Sequence, residues 1–413
     1  MNSLRVGFFL ALRQLKRSSK WTTGLIVFIM TLTFLNLVVV GGILVGLIEG
    51  SGRAYRTQFS SDVFIKNPAE KSAIQQTSAI VMTAQSNPHV QAITTRYTSI
   101  AKIEANYKQK RANKREDFAG GYVVGINPQK EDEVTHLASL VVKGSYLANN
   151  DDDSILLGTL LTYEYTKDFG EGLEVLDHAE IGDKVRLSIG KVQKEYTIKG
   201  LIKSKIGEVS MRVYMRDREL RRLLNRPDFN AQEIAIKLTP DGNPETVVHD
   251  LKQRFSEDNA IIQTWQESQG KFFKDIAMTF NSLGIMIGGI GLVVASITIF
   301  IVVFINAITR RKFIGILKGI GINGRAIEIS YILQSMFYAV LGSGIGLLIV
   351  YVALKPYFDA HPINFPFSDG ILVAPITGTL QRAGILFLTT LLAGYIPARM
   401  IIKRNTLDAI LGR

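Results

Sequence analysis

The sequence predicts an α-helical membrane protein with four transmembrane helices and one large α/β domain held outside the cytoplasm. Three observations predict it. Four stretches almost free of charge interrupt an otherwise polar chain of 413 residues; a charge-balanced segment of more than two hundred residues separates the first two; and the short segments flanking the apolar stretches are rich in lysine and arginine.

A helix rises about 1.5 Å per residue, so about 20 apolar residues cross a hydrocarbon core of about 30 Å. Residues 21–48, 276–309 and 329–354 exceed that length. Residues 383–402 form a shorter fourth candidate, bounded by Arg382 and interrupted by Arg399, which can snorkel to the interfaces. A buried core helix is the competing reading for the fourth alone. The first stretch is too long for a signal-peptide core and lacks a small-residue cleavage site, so it is expected to remain as an anchor.

The formal net charge of +12 suggests a nucleic-acid partner only until it is read by region. Residues 49–275 hold 32 of the 48 basic and 32 of the 36 acidic residues, so this domain is neutral. The surplus sits beside the spans: Arg5, Arg13, Lys16, Arg17 and Lys20 before the first, Arg310, Arg311, Lys312, Lys318 and Arg325 between the second and third, and Arg399, Lys403, Arg404 and Arg413 at the end. Short basic loops stay in the cytoplasm while long domains cross largely regardless of charge. Both termini (1–20 and 403–413) and the 310–328 loop are therefore expected inside, with 49–275 and 355–382 outside. The positive charge orients the chain in a lipid bilayer; no nucleic-acid partner is expected.

Leu4, Phe8, Ala11, Leu12 and Leu15 recur at helical spacing with most of the basic residues elsewhere on the wheel. This predicts an amphipathic helix at the interface ahead of the first span, although a plain basic flank would serve orientation equally. The outer domain patterns as α/β: strands at 62–66, 90–103 and 122–126, helices at 72–85 and 130–142, then short β segments at 155–157, 185–189 and 196–202, and a final strand–helix–strand over 233–264. An α/β unit in two parts (60–142 and 230–265) with a β-rich insertion (144–226) is the expected organisation. With no cysteine, no disulfide or thiolate metal site is available. The Asp151-Asp152-Asp153 run lacks the spacing of a calcium loop and is read as a solvated turn.

No Gly-x-x-x-x-Gly-Lys-Ser/Thr loop, His-x-x-x-His pair or Gly-x-Ser-x-Gly elbow occurs. No catalytic residue, cofactor or metal site is expected, and the spans lack the acidic group a proton-driven pump generally needs. Work must come from a partner, or no transport is done.

The 310–328 loop carries the sharpest pattern. Phe313, Ile316, Leu317 and Ile320 fall at i, i+3, i+4 and i+7, one apolar face of a two-turn helix outside the membrane, with Gly321 placed to stop it. So short a helix needs a groove in another protein, or the lipid surface, to bury that face. Within the spans, Gly42, Gly46 and Gly50, Gly284 and Gly288, and Gly342 and Gly346 repeat at four-residue spacing, as in faces along which helices approach closely.

Ile314, Gly315, Ile316, Leu317, Lys318 and Gly321 resemble the second cytoplasmic loop of the MacB/FtsX-like permeases, membrane subunits of mechanotransmitting ABC transporters. Pro397-Ala398-Arg399 and Leu407-Asp408-Ala409-Ile410 resemble the same family's tail, and 155–158 with 182–185 resemble a stretch of its outer domain. Phe313 replaces the family's acidic residue, Gln334 its frequent glutamate, and Asn405-Thr406 its Asp-Pro. The resemblance implies a porter-like α/β part with a β-rich insertion and a coupling helix at 313–321 seated on a separate ABC-type ATPase. It also implies a dimer with a second permease copy or paralogue, with a periplasmic adaptor left open. The implied role is efflux, or lipoprotein or lipid export, of the MacB/LolC kind. An FtsX-like regulator of a cell-wall hydrolase is the nearest alternative, and a membrane receptor with an outer sensing domain a more distant one.

Overall fold

The computed structural model describes residues 3–108, 117–167, 174–361, 363–365, 367–370 and 372–402. The chain forms two compact units, one of Met1–Ile48, Asp275–Asn364 and Asp369–Arg413, the other of Glu49–Lys274 with Phe365–Ser368.

Four helices among the described residues are long and apolar enough to cross a membrane: Lys20–Ser60, Phe273–Thr309, Gly324–Ala360 and Ile376–Met400. Single π-helical turns interrupt the first at Asn36–Val40 and Arg56–Ser60 and the third at Ile349–Leu354. The second helix runs from Gly270 to Thr309, 40 residues, or about 60 Å, twice the hydrocarbon thickness. The fourth helix begins at Ile376, ahead of the expected start at 383. Its first turns are polar and escape an apolar count, but Pro375 precedes them and Thr379 N–H already bonds the Pro375 carbonyl. Arg382 therefore lies inside the helix, its guanidinium reaching toward the Val38 carbonyl at 3.4 Å. At 27 residues the fourth helix is no longer marginal.

Ile26, Met30, Phe34 and Val38 of the first helix stack at four-residue intervals, as do Ala295, Ile299, Val303 and Ala307 of the second, and the two rows meet Tyr331, Tyr338, Leu386 and Ala393 in one core. Rows of this spacing are the ridges that interdigitate between packed helices. Large apolar side chains such as Phe28, Ile290, Val294, Ile297 and Ile301 face outward. In water that surface would be untenable; it is the surface a bilayer covers.

The second unit is built on a ten-stranded sheet. Its strands are β1 (Val63–Lys66), β2 (Val90–Glu104), β3 (Phe118–Ile126), β4 (Val141–Gly144), β5 (Ser154–Gly158), β6 (Lys184–Ile189), β7 (Val192–Ile202), β8 (Arg212–Arg216), β9 (Glu233–Leu238) and β10 (Ile261–Thr264). The order is β10-β1-β9-β2-β3-β8-β5-β7-β4, with β6 pairing both β2 and β7. The fifteen-residue β2 is the hinge of this arrangement. Its first half, Val90–Arg96, pairs with β9, and its second half, from Tyr97, pairs with β3. Strand β3, which the sequence pattern groups with the first α/β part, thus hydrogen-bonds into the β-rich group, in parallel with β8.

Two helices start on Asn-Pro. Asn127 accepts from Lys130 N–H at 3.1 Å and Asn243 from Glu245 N–H at 2.9 Å, each with proline in the first turn. This is the preferred start, because the cap satisfies an orphan donor and proline has none to lose. The helix expected over 130–142 ends instead at Thr135. His136 takes a left-handed conformation (φ 54°) and terminates it, which frees Val141–Gly144 to pair with β7.

Arg96, Arg212 and Glu131 are buried, and Glu233 is half-buried, where β2, β8, β9 and the Pro128–Thr135 helix meet. Arg96 contacts Glu131 at 2.7 Å and Glu233 at 3.2 Å and donates to the Phe59 carbonyl at 2.7 Å. Arg212 forks onto Glu233 at 2.7 and 2.8 Å. Glu131 also accepts from the Thr94 and Thr135 hydroxyls, both at 2.9 Å, and the Phe59 ring underlies both guanidinium groups. Burial works to raise the Glu233 carboxyl, but Arg212 and then Arg96 overcome it and hold it at about 2, against an ordinary value of 4.5. A lowered carboxyl contributes stability that is fully present above the unfolded value and is lost as pH falls through the folded one. The prediction is a loss of about 3 kcal/mol from this group between pH 4.5 and 2. Acid titration of the full chain carrying Trp21→Phe, followed by Trp265 fluorescence, checks it: with Glu233 present it should lose more stability over that interval than with Glu233→Gln, and equal slopes would contradict it.

Candidate coupling surface

The helix between the second and third long helices forms where the pattern places it, over Arg311–Gly319. Gly321 has φ 90° and donates to the Lys318 carbonyl at 3.0 Å, while Ile322 N–H reaches the Leu317 carbonyl at 2.9 Å. These two bonds close a Schellman stop, for which glycine at the left-handed position carries no Cβ penalty. Asn323 then accepts from Arg325 N–H at 3.0 Å and starts the third long helix at once.

The two sides of this short helix differ. Ile314 and Gly315 are buried, Ile314 in the core with Tyr331 and Ala398. Lys318 donates to the Ile402 carbonyl at the end of the fourth helix. Phe313, Ile316 and Ile320 are exposed at 67%, 51% and 71%. Leu317 departs from the expected face: it is half-buried and packs against the bundle with Ile322, its partner in the Schellman stop. The exposed apolar set is therefore Phe313, Ile316 and Ile320.

The glycines do unequal work. At Gly342 an added methyl would lie 2.4 Å from Met30 Cβ, and at Gly346 2.3 Å from the Phe34 ring, so the third helix rides against the first along this pair. Gly42 abuts Leu372 and the Val373 carbonyl, each at 2.8 Å from such a methyl. Gly284 and Gly288 meet only the ends of Leu44 and Leu37, at 3.5 and 3.1 Å, and Gly46 is buried. Two close contacts carry no spacing signal. Gly394 of the fourth helix presses on Ser335, and Gly7 of the N-terminal helix, Ser3–Lys16, presses on Ile329 and the Ala326 carbonyl.

That N-terminal helix packs on the third long helix through Gly7, Leu10, Ala11 and Gln14, and Gln14 hydrogen-bonds Gln334. Leu4, Phe8 and Leu12, part of the stripe read from the sequence, face outward. At the fourth helix's end Ala398 is buried and Arg399 bonds the Tyr395 hydroxyl at 2.6 Å. Leu407–Ile410 lie outside the described residues. The three consecutive aspartates each meet a cation: Asp151 with Lys199, Asp152 with Arg216, and Asp153 with Lys194 at 2.8 Å. Among the described residues no group of three or more histidine and carboxylate side chains is placed to hold a metal.

Four apolar helices, a mixed sheet domain between the first two, and a short amphipathic helix joining the second and third define a multi-pass membrane protein. Residues 37–254 match the MacB-like periplasmic core domain and residues 285–406 the FtsX-like permease C-terminal domain. The chain belongs to the MacB/FtsX-like ABC transporter permease family.

Among its relatives is the macrolide export ATP-binding/permease protein MacB of Haemophilus ducreyi, 27% identical over 46% of this chain and 26% of that protein. An uncharacterised ABC transporter permease of Methanocaldococcus jannaschii is 22% identical over 66% of this chain and 65% of its own length. The ABC transporter permease YtrF of Bacillus subtilis is 26% identical over 44% and 39%. The chain thus spans from about a quarter to just under two thirds of these relatives. The crystal structure of the periplasmic region of MacB from Actinobacillus actinomycetemcomitans aligns with 52% of this chain and 93% of its own, at 14% identity and a TM-score of 0.37.

Proposed function

We propose that this chain is the membrane subunit of a MacB/LolC-like transporter, in which a separate ATPase subunit supplies the work and the outer domain delivers it, for efflux or for lipoprotein or lipid export. The observation that carries the reading is the exposed trio Phe313, Ile316 and Ile320 on a helix too short to be stable alone. Its other side is fixed to the bundle by Ile314 and by the bond from Lys318 to Ile402. A rigidly mounted apolar knob of this kind suits a groove in a partner protein. Its basic surroundings favour the cytoplasmic side of a bacterial inner membrane, where ATP is available, with both termini on that side.

In this reading two permease copies pair, and ATP-driven closure of two ATPase subunits moves the paired loop helices. The second helix is continuous from Gly270 to Thr309, so displacement at one end is carried along it. An export role is supported by the Haemophilus relative, a macrolide export protein. The match of residues 37–254 to the MacB-like core favours a transporter over an FtsX-like hydrolase regulator.

The test is co-purification from the native host. An ABC-type ATPase is expected in stoichiometric amount with the wild type. Ile316→Glu places a charge in the contact, at a cost of about 2 kcal/mol, so recovered ATPase should fall by more than tenfold while membrane insertion is unchanged. Ile316 is the better probe than Leu317, whose substitution would also disturb the bundle. Full recovery of the ATPase with Ile316→Glu would sink the reading.

A further inference from the structure

A groove of about 940 Å³ separates the N-terminal helix from the loop helix and is floored by the third long helix. Two features set it apart from an ordinary surface cleft. Four guanidinium groups line it, those of Arg5, Arg13, Arg17 and Arg310, with no acidic residue among its lining. None of the four forms an ion pair among the described residues, although most arginines of the other unit do. On the groove wall stands Tyr331, whose side chain is buried (1% exposed) and whose hydroxyl makes no hydrogen bond within the protein. Buried polar atoms are almost always partnered, so an unsatisfied hydroxyl on a cavity wall points to an acceptor from outside the chain. Beside these polar groups, Phe9, Leu10, Phe313, Ile314 and Leu317 give the groove an apolar side.

We infer that this groove holds an anionic phospholipid of the adjoining leaflet, its phosphate among Arg13, Arg17, Arg310 and the Tyr331 hydroxyl and its acyl chain along Phe9, Leu10 and Leu317. The chemistry of the ligand follows from the lining. Arginines are the preferred donors to phosphate oxygens, and basic pockets between membrane helices on this side suit lipid head groups. A soluble phosphate would leave the apolar side unfilled, whereas a phospholipid covers both. The depth also fits. Leu4, Phe8 and Leu12 face outward from the N-terminal helix, so that helix lies with its apolar edge in the acyl boundary and its arginines at the head groups. Bound there, the lipid bridges the N-terminal and loop helices and fixes the mounting of the exposed trio. Phe313 of the exposed trio also lines one edge of the groove, so the two sites adjoin, but Ile316, Ile320 and the proposed ATPase contact they make are tested separately.

The full-length chain, exchanged into phosphatidylcholine nanodiscs with one tenth phosphatidylglycerol and released for native mass spectrometry, provides the test. The wild type is expected to retain phosphatidylglycerol about tenfold over its share of the bilayer. The triple variant Arg13→Gln, Arg17→Gln, Arg310→Gln should abolish that preference. Tyr331→Phe should reduce it about threefold at an unchanged melting temperature. Lys16→Gln with Lys20→Gln, which removes charge outside the groove, should leave it intact. The inference is overturned if the wild type shows no preference, or if the lysine control acts as strongly as the arginine triple. Displacement by the water-soluble head group glycerophosphoglycerol alone would make this a site for free phosphate esters and also overturn it. Loss of ATPase binding by the triple in pure phosphatidylcholine, with lipid retention unchanged, would make the groove a protein contact instead.

Discussion

Replacing Arg96 by methionine is expected to lower the melting temperature of the outer domain by roughly 10 °C. Its side chain is 2% exposed, and the guanidinium holds Glu131, Glu233 and the Phe59 carbonyl together. Methionine fills much of the volume but leaves Glu131 with only hydroxyl partners, an uncompensated buried charge. Removing one member of such a pair costs about 3–5 kcal/mol, and a domain of this size loses about 2–4 °C per kcal/mol. Glu233 keeps Arg212, so the damage should concentrate on the Pro128–Thr135 helix that carries Glu131. Adding Glu131→Leu should recover part of the loss, because two apolar groups no longer strand a charge. Trp265 reports the transition in the full chain once Trp21 is changed to phenylalanine. A fall below about 2 °C would show that this network is not a keystone of the domain.

This network also marks where sequence reasoning stopped. The spans were legible because hydrocarbon excludes charge, and soluble helices rarely run so long without one. Strands such as 62–66, 122–126 and 196–202 were legible from their β-branched and aromatic runs between turn residues. Strand β8, Arg212–Arg216, was not, because a strand that opens with a buried arginine looks like a polar loop. Its compensation, Glu233, lies 21 residues onward, and Arg96 and Glu131 are 35 residues apart. Charge pairing at such separations leaves no periodic trace. The surface around the loop helix divides the same way. The apolar spacing of the loop helix and the stop at Gly321 are local and could be read. The burial of Leu317 could not, since it depends on Ile322 and on the bundle behind it. Nor could the arginine-lined groove, which needs residues 5–17 beside residues 310–331.

A leucine at Gly342 is expected to break the membrane bundle, while a leucine at Gly344, two residues away, should be nearly silent. The contrast follows from what each would meet. Around Gly342 a Cβ alone would lie 2.4 Å from Met30 Cβ and 3.1 Å from both the Met30 carbonyl carbon and the Thr31 nitrogen; around Gly344 it would meet nothing within 4 Å. Two of those three neighbours are backbone, so no rotamer change relieves the clash and the helices must separate. Separation also stretches the bond from the Thr31 hydroxyl to the Gly342 carbonyl, now 3.2 Å. Overpacking of this kind costs about 1–3 kcal/mol, and more when backbone must move. The loss falls on the first and third helices, with Gly346 and Phe34 one turn further along. After brief heating, the fraction of monodisperse protein recovered by size exclusion should fall sharply for Gly342→Leu and match the wild type for Gly344→Leu. Equal recovery of the two variants would mean that the first and third helices are not held by this close contact, and that the four-residue glycine spacing has no packing role there.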